Sequence, residues 1–212
     1  MLKKETSDKR SYQTTEERQS GTIAAVVELC KEQDPATLTT ANIAKKIGLS
    51  QGALFKHFPS KNRLWESVAD WVSEQLIRQV FSQSKGHCQA DKALEAMFLA
   101  HVGFIARHPG IPRLMLCELQ KPGNSPAKTV IRKTLANYRL KVIGLIEQGV
   151  NQGRFASNID TGAAAMLYLG AIQGLVVQAM VNNSVDKLEQ LPPQIFSLFK
   201  AGIQGATNDE EE

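Results

Sequence analysis

The stretch Leu38–Leu64, LTTANIAKKIGLSQGALFKHFPSKNRL, limits what this chain can fold into more than any other part of it. It holds two short helical patterns on either side of Gly48-Leu49. Each is opened by a hydroxyl residue able to accept backbone N–H bonds, Thr39 or Thr40 for the first and Ser50 for the second. Ile43, Ala44 and Ile47 share one face of the first pattern, and Gly48 supplies the positive φ that ends it without a Cβ clash. In the second, Leu54 and Phe58 turn inward and leave Gln51, Ala53, Phe55, Lys56 and His57 pointing out of a short helix. Two such helices joined by a tight turn have the form of a helix-turn-helix, whose second helix enters a DNA groove. From position 35 to 65 the chain carries Lys45, Lys46, Lys56, Lys61 and Arg63 and no acidic residue, a balance that attracts phosphate. Charge alone fits a solvated basic face equally well. The spacing of caps, glycine and inward residues favours DNA.

On these residues the segment TTANIAKKIGLSQGALFKHFPSK resembles the N-terminal DNA-binding signature of the TetR/AcrR family of bacterial transcriptional regulators. Ile43-Ala44, Gly48, Phe55-Lys56-His57-Phe58 and Lys61 match the family pattern without a gap, over about the first third of the chain. The resemblance implies that Gln51 and Lys56 read base edges. Thr40, Phe55, His57 and Lys61 would set the register on phosphates, directly or by packing, with Gly52 and Ala53 also among the DNA-binding residues. Two positions depart from the pattern: the family usually has Tyr where this chain has Phe55, and often Thr where it has Ala53. A phosphate-bonding hydroxyl is therefore missing at each.

The 212 residues, 42% of them hydrophobic, are enough for one or two domains with a sizeable core, and the sequence pI is about 9.0. Residues 1–13 carry Lys3, Lys4, Lys9 and Arg10 with no apolar run behind them, so they read as a flexible basic arm in a cytoplasmic protein. Cys30, Cys88 and Cys117 are too scattered for a disulfide framework or a zinc site. The reading divides the chain into an arm (1–13), a helix-turn-helix domain (14–60), a helical domain for ligand and dimer (61–206) and an acidic tail (207–212).

The first helix starts near Thr14 or Thr15, where Thr14 and Glu17 are spaced as a capping box, and Ile23, Val26, Val27 and Cys30 form its apolar stripe. Pro59-Ser60 announces a long helix running toward Ser84 and Gly86, a lever that starts at the DNA end. From Ala90 onward every pattern is helical, giving an all-α chain of about nine helices. Leu94, Met97, Phe98, His101, Phe104 and Ile105 make the inner stripe of a helix ending at His108-Pro109-Gly110. A lone His such as His101 on an apolar face is more often core than ligand contact. Pro112 is placed to open a short helix, which KPGNSP ends. Glu118 in that helix has two readings, a helix-end carboxylate turned to solvent, the commoner role, or a partner for a cationic ligand. The next helix runs from Pro126 to about Gln152.

Asp160 caps GAAAMLYLGAIQGLVVQAMV, apolar nearly all round. Gln173 and Gln178 inside it, and the lack of cationic flanks, argue for burial in protein over a membrane span. Gly170 and Gly174 allow close approach of another helix, from a second subunit or from the same one. The last helix follows Leu191-Pro192-Pro193. These two helices resemble the family's dimerising pair, implying an interface with Gly170, Gly174, Val177, Phe196 and Phe199. Gly153, Phe155 and Asp160 match the family's lead into them.

Two functions from different classes follow. One is a homodimeric repressor that binds a palindromic double-stranded operator and is released by a small, largely apolar effector. Trp65, Trp71, Phe98, His101, Phe104, Cys117, Glu118 and Tyr138 are its pocket candidates. The other is a DNA-binding interaction protein whose C-terminal bundle docks a protein partner. No Ser/His/Asp grouping, phosphate-cradling glycine loop or metal-ligand spacing suggests an enzyme, a cofactor or a metal.

Overall fold

The computed structural model describes residues 15–185, 188 and 191–204. The basic arm, the Thr14 cap and the acidic tail lie outside those residues. Among the described residues the chain forms nine α-helices and no strand: α1 Thr15–Glu32, α2 Thr40–Lys46, α3 Gln51–His57, α4 Lys61–Ser84, α5 Ala90–Arg107, α6 Gly110–Gln120, α7 Pro126–Asn151, α8 Thr161–Val181 and α9 Pro192–Ile203.

The helix starts follow side-chain chemistry closely. Thr39, not Thr40, caps α2, its Oγ1 accepting from the Asn42 N–H at 3.1 Å. Ser50, Ser60, Ser125 and Asp160 cap α3, α4, α7 and α8 in the same manner, each satisfying an otherwise orphaned donor. Gly48 takes φ +68° between α2 and α3, as the turn demands. Two starts differ from the expectation. α6 begins at Gly110, ahead of Pro112, which is buried in its first turn. α9 begins at Pro192, so both prolines lie inside it, where a missing N–H costs nothing.

α1, α2 and α3 form a small domain around Val26, Cys30, Leu38, Ile43, Leu54 and Phe58, closed by Leu64 from the start of α4. α4 then runs without a break into the second layer, where α5 and α7 flank it. A second seam joins the two parts: α6 lies across α1 so closely that a Cβ on Gly110 would collide with the Val27 carbonyl and come within 2.9 Å of the Lys31 nitrogen. α8 and α9 complete the bundle on the far side. Arg154 and Lys200 hold α9 there by meeting on the Asp91 carboxylate, which is 1% exposed at the first turn of α5.

α8 is long and apolar enough to cross a bilayer, but Ala164, Ala165, Tyr168, Leu169, Ile172, Val176 and Ala179 build one wall of the core. Its other side is open: Met166 is 58% exposed, Leu167 57%, Val177 43% and Val181 71%. Gly170 and Gly174 lie on this open side, and a Cβ on either would meet nothing within 4 Å. Close packing within the subunit therefore does not explain them. Phe196 and Phe199 correct the expected interface. They are buried against Phe98 and Tyr168, because α9 carries two apolar stripes and spacing alone does not say which faces the core. Leu198 is on the outer stripe, 71% exposed.

Candidate nucleic-acid interface and the polar sites behind it

α3 is too short to persist alone and is held at three points. Ser50 accepts from the Ala53 N–H at 3.1 Å, while Leu54 and Phe58 are buried at 1% and 3% exposure. This anchoring leaves Gln51, Gly52, Phe55 and Lys56 exposed, with Ala53, His57, Thr40 and Lys61 half-buried beside them. Each of the nominated DNA-facing residues is thus at least partly open to water. Gln51 is not free: its Nε2 donates to Thr40 Oγ1 at 2.7 Å, locking the first turn of α3 to the first turn of α2. Eleven positions apart, the two residues give no sign of this bond in the sequence, where they have separate expected roles. Arg63, in the first turn of α4, pairs with Glu66, just beyond the acid-free run.

Of the eight pocket candidates, Trp65 and Glu118 line a cleft between α4, α6 and α7, and the other six are not among its lining residues. Phe98, Phe104 and Tyr138 are fully buried, joined by Tyr168, in an aromatic core that the sequence reading named only in part. Phe98 meets Tyr168 edge-on at 5.3 Å, and His101 lies 5.3 Å from Tyr138. The Tyr168 hydroxyl donates to the Leu94 carbonyl at 2.9 Å. The Tyr138 hydroxyl and His101 Nδ1 are buried without a hydrogen-bond partner. The Tyr138 and Tyr168 hydroxyls influence each other's ionisation yet fall outside bonding geometry. Burial pushes the His101 pKa down to about 4 and the Tyr138 pKa well up, so both groups are neutral near pH 7. His101 as a whole is half-buried at the edge of this core, but its Nδ1 is out of water with unused bonding capacity. Trp71 stands at the margin, edge-on to His108 at 6.1 Å, and His108 continues to Phe104 at 4.9 Å. Cys117 is half-buried near Cys30, whose thiol is raised to about 12, chiefly by burial.

Trp65 and Glu118 belong to a separate cleft at the junction of α4, α6 and α7, lined also by Asn62, Lys121, Ser125, Pro126 and Ala127. Glu118 overturns the solvent-facing reading: it is 4% exposed and accepts from Lys121 Nζ and Ser125 Oγ. Lys121 Nζ also lies 5.7 Å from the Trp65 ring centre. The loop behind is tied by Lys128, whose ammonium donates to the carbonyls of Lys121 at 2.7 Å and Gly123 at 3.2 Å. As a sequence, KPGNSP signals a helix stop and gives no sign that Lys121, Ser125 and Lys128 belong to this cleft and the loop behind it.

Residues 23–68 match the family described as "Bacterial regulatory proteins, tetR family". The nucleoid occlusion factor SlmA of Aliivibrio fischeri (strain MJ11) is 25% identical over 189 residues, 88% of this chain and 96% of that protein. The fold is that of FadR from Bacillus subtilis, solved in complex with stearoyl-CoA, with a TM-score of 0.77 at 22% identity over 87% of this chain and 99% of that one. FadR from Bacillus halodurans superposes with a TM-score of 0.78 at 19% identity, covering 87% of this chain and 95% of that one.

Proposed function

We propose that this chain, a DNA-binding regulator of the TetR family, acts as a homodimeric repressor on a palindromic operator and is released by a small, largely apolar effector. Residues 14–60 serve as its DNA-binding domain and 61–206 as its effector and dimer domain. The observation that carries the DNA side is the capped, acid-free surface of α3. Gln51 and Lys56 read base edges, and Thr40, Phe55, His57 and Lys61 fix register on the backbone, with Gly52 and Ala53 also in the interface. Two copies joined through the open stripe of α8 present two α3 helices to successive major grooves, about 34–36 Å or somewhat more apart.

Support for an effector comes from His101 and Tyr138, two neutral polar groups left unpaired inside an aromatic core. Buried polar atoms without partners cost stability, and a ligand that bonds both removes that cost. The Bacillus subtilis fold neighbour holding stearoyl-CoA makes an apolar ligand the natural class to try first. A hundredfold loss of operator affinity needs about 2.7 kcal/mol of coupling, which the effector supplies by binding a tilted arrangement of α4 more tightly than the DNA-competent one.

A second reading, a protein-docking factor without effector, is favoured by the likeness to a nucleoid occlusion factor and by the tight aromatic interior. A thermal-shift screen of acyl thioesters, steroids and simple phenols, followed by operator binding, separates the two. A compound that stabilises the protein and weakens operator binding supports release. Compounds that do neither, with a protein captured through the C-terminal bundle, would favour docking.

A further inference from the structure

The cleft between α4, α6 and α7 is built for a positive charge, and the chain itself supplies one. Glu118 brings a carboxylate that is almost wholly out of water. Trp65 adds a ring face, Asn62 and Ser125 add hydrogen-bonding groups, and the cavity among them is about 60 Å³. That is far below the roughly 300–1,000 Å³ of a drug-sized pocket, so an occupant of a few heavy atoms fits, in the room that Lys121 vacates, and a large one does not. Lys121 reaches in from the loop and sets its ammonium on the carboxylate and near the indole at once.

The two ends of this ion pair are unequal. The Glu118 side chain is 5% exposed, whereas that of Lys121 is 45% exposed and returns to water freely. Removing the one cation that pairs with this carboxylate among the described residues, without replacement, would be costly, but exchanging it for another cation is not. Lys128 is no competitor, because its ammonium is engaged by two loop carbonyls. A divalent metal would want six or more oxygen ligands for calcium, or near-octahedral geometry for magnesium, and one carboxylate does not approach either. A ring face beside a carboxylate suits an organic ammonium.

We infer that this cleft is a binding site for a small organic ammonium ion, with Glu118 and Trp65 as its recognition groups and Lys121 as a built-in occupant that the ligand displaces. It is separate from the aromatic core proposed for the apolar effector. Asn62 and Trp65 lie in the first turns of α4, next to Lys61, so an occupant changes the seat of α4 against the 121–127 loop. That coupling, unlike the binding, rests on the regulator reading.

Calorimetric titration of the full chain with ethylammonium and tetramethylammonium chloride, against sodium chloride at equal ionic strength, tests the site. Saturable binding of an ammonium but not of sodium is expected. Glu118→Gln should weaken it tenfold or more, and Lys121→Met, which removes the internal competitor, should strengthen it severalfold. No saturable heat, or an affinity that Lys121→Met leaves unchanged or weakens, overturns the proposal. Because Lys121→Met is read as a gain, a misfolded variant cannot mimic the expected result. Operator affinity measured with the same probes then tests the coupling: a fall supports it, and bound ammonium with unchanged operator affinity refutes it while leaving the site in place.

Discussion

α3 and α8 each leave one side uncovered, and they do so in opposite ways. α3 is seven residues long and shows water Gln51, Gly52, Lys56 and the half-open ring of Phe55. Water solvates such a surface well, so α3 is complete in a single chain and waits for DNA at little cost. α8 is 21 residues long and shows Met166, Leu167, Val177 and Val181 around two glycines. An apolar stripe of that length, continued by Leu198 on the neighbouring α9, calls for a second surface. The difference teaches that the two ends of the molecule depend on each other. On the proposed reading, one α3 makes a weak half-site contact, and pairing through the stripe on α8 turns it into two.

The largest test of this contrast is Gly174→Arg. The site is open within the subunit, so the fold should be retained, but the second copy is pushed away. Light scattering should show 23.3 kDa in place of twice that mass, and operator affinity should fall by about 10²–10⁴-fold as the avidity of the pair is lost. Asp91→Asn sharpens the comparison from beneath, since it loosens α9 without touching α3. Leaving Arg154 and Lys200, 32% and 28% exposed, without their buried partner should lower the midpoint of denaturant unfolding.

The same carboxylate sets a pH dependence. Burial raises its pKa, but bonds from Arg154 and Lys200 outweigh this and hold it below the usual range. Its stabilisation is therefore full above the unfolded value of about 4 and is lost as pH falls below that, a slope that Asp91→Asn should remove.

On the α3 side the effects are smaller and divide by kind. Gln51→Ala should relax discrimination among operator variants by about 1–3 kcal/mol, measured by competition between cognate and mismatched duplexes. Because Gln51 also holds Thr40, a double variant with Thr40→Ala should add less than the two singles together. Equal losses on cognate and random DNA would remove Gln51 from base reading. Lys61→Ala should weaken all sequences alike and reduce the slope of log affinity against log salt by about 1. The smallest change is Phe55→Tyr. If a phosphate bond is missing here, the hydroxyl should restore about 0.5–1.5 kcal/mol of affinity, whereas no change would mean that the ring's packing already fixes the backbone.

What was readable in the sequence follows the range of the interaction. Caps and turns are set by neighbours a few residues apart, which is why Ser50, Ser60 and Asp160 and the positive φ of Gly48 emerge where the chain's pattern puts them. Pairings across the chain leave no such trace. The inward turn of Phe196 and Phe199 depends on Phe98 and Tyr168, about one hundred and about thirty residues away. Glu118 is an exception to range: its partners Lys121 and Ser125 are three and seven residues on, but KPGNSP reads as a helix stop and gives no sign that the loop folds back over the carboxylate. His101 and Tyr138 could be placed on inner faces, but only the packed core shows both polar atoms left unpaired.

The account stands or falls on two linked copies of α3 reading one site. Footprinting of the protein on fragments selected from random-sequence duplexes, with the mass of the bound species measured in the same buffer, tests it directly. The expected result is a two-fold symmetric protected sequence with half-sites about 10–10.5 base pairs apart, or a multiple of that, bound by two copies or a further even number. An asymmetric single half-site held by one copy, unaffected by Gly174→Arg, would contradict it.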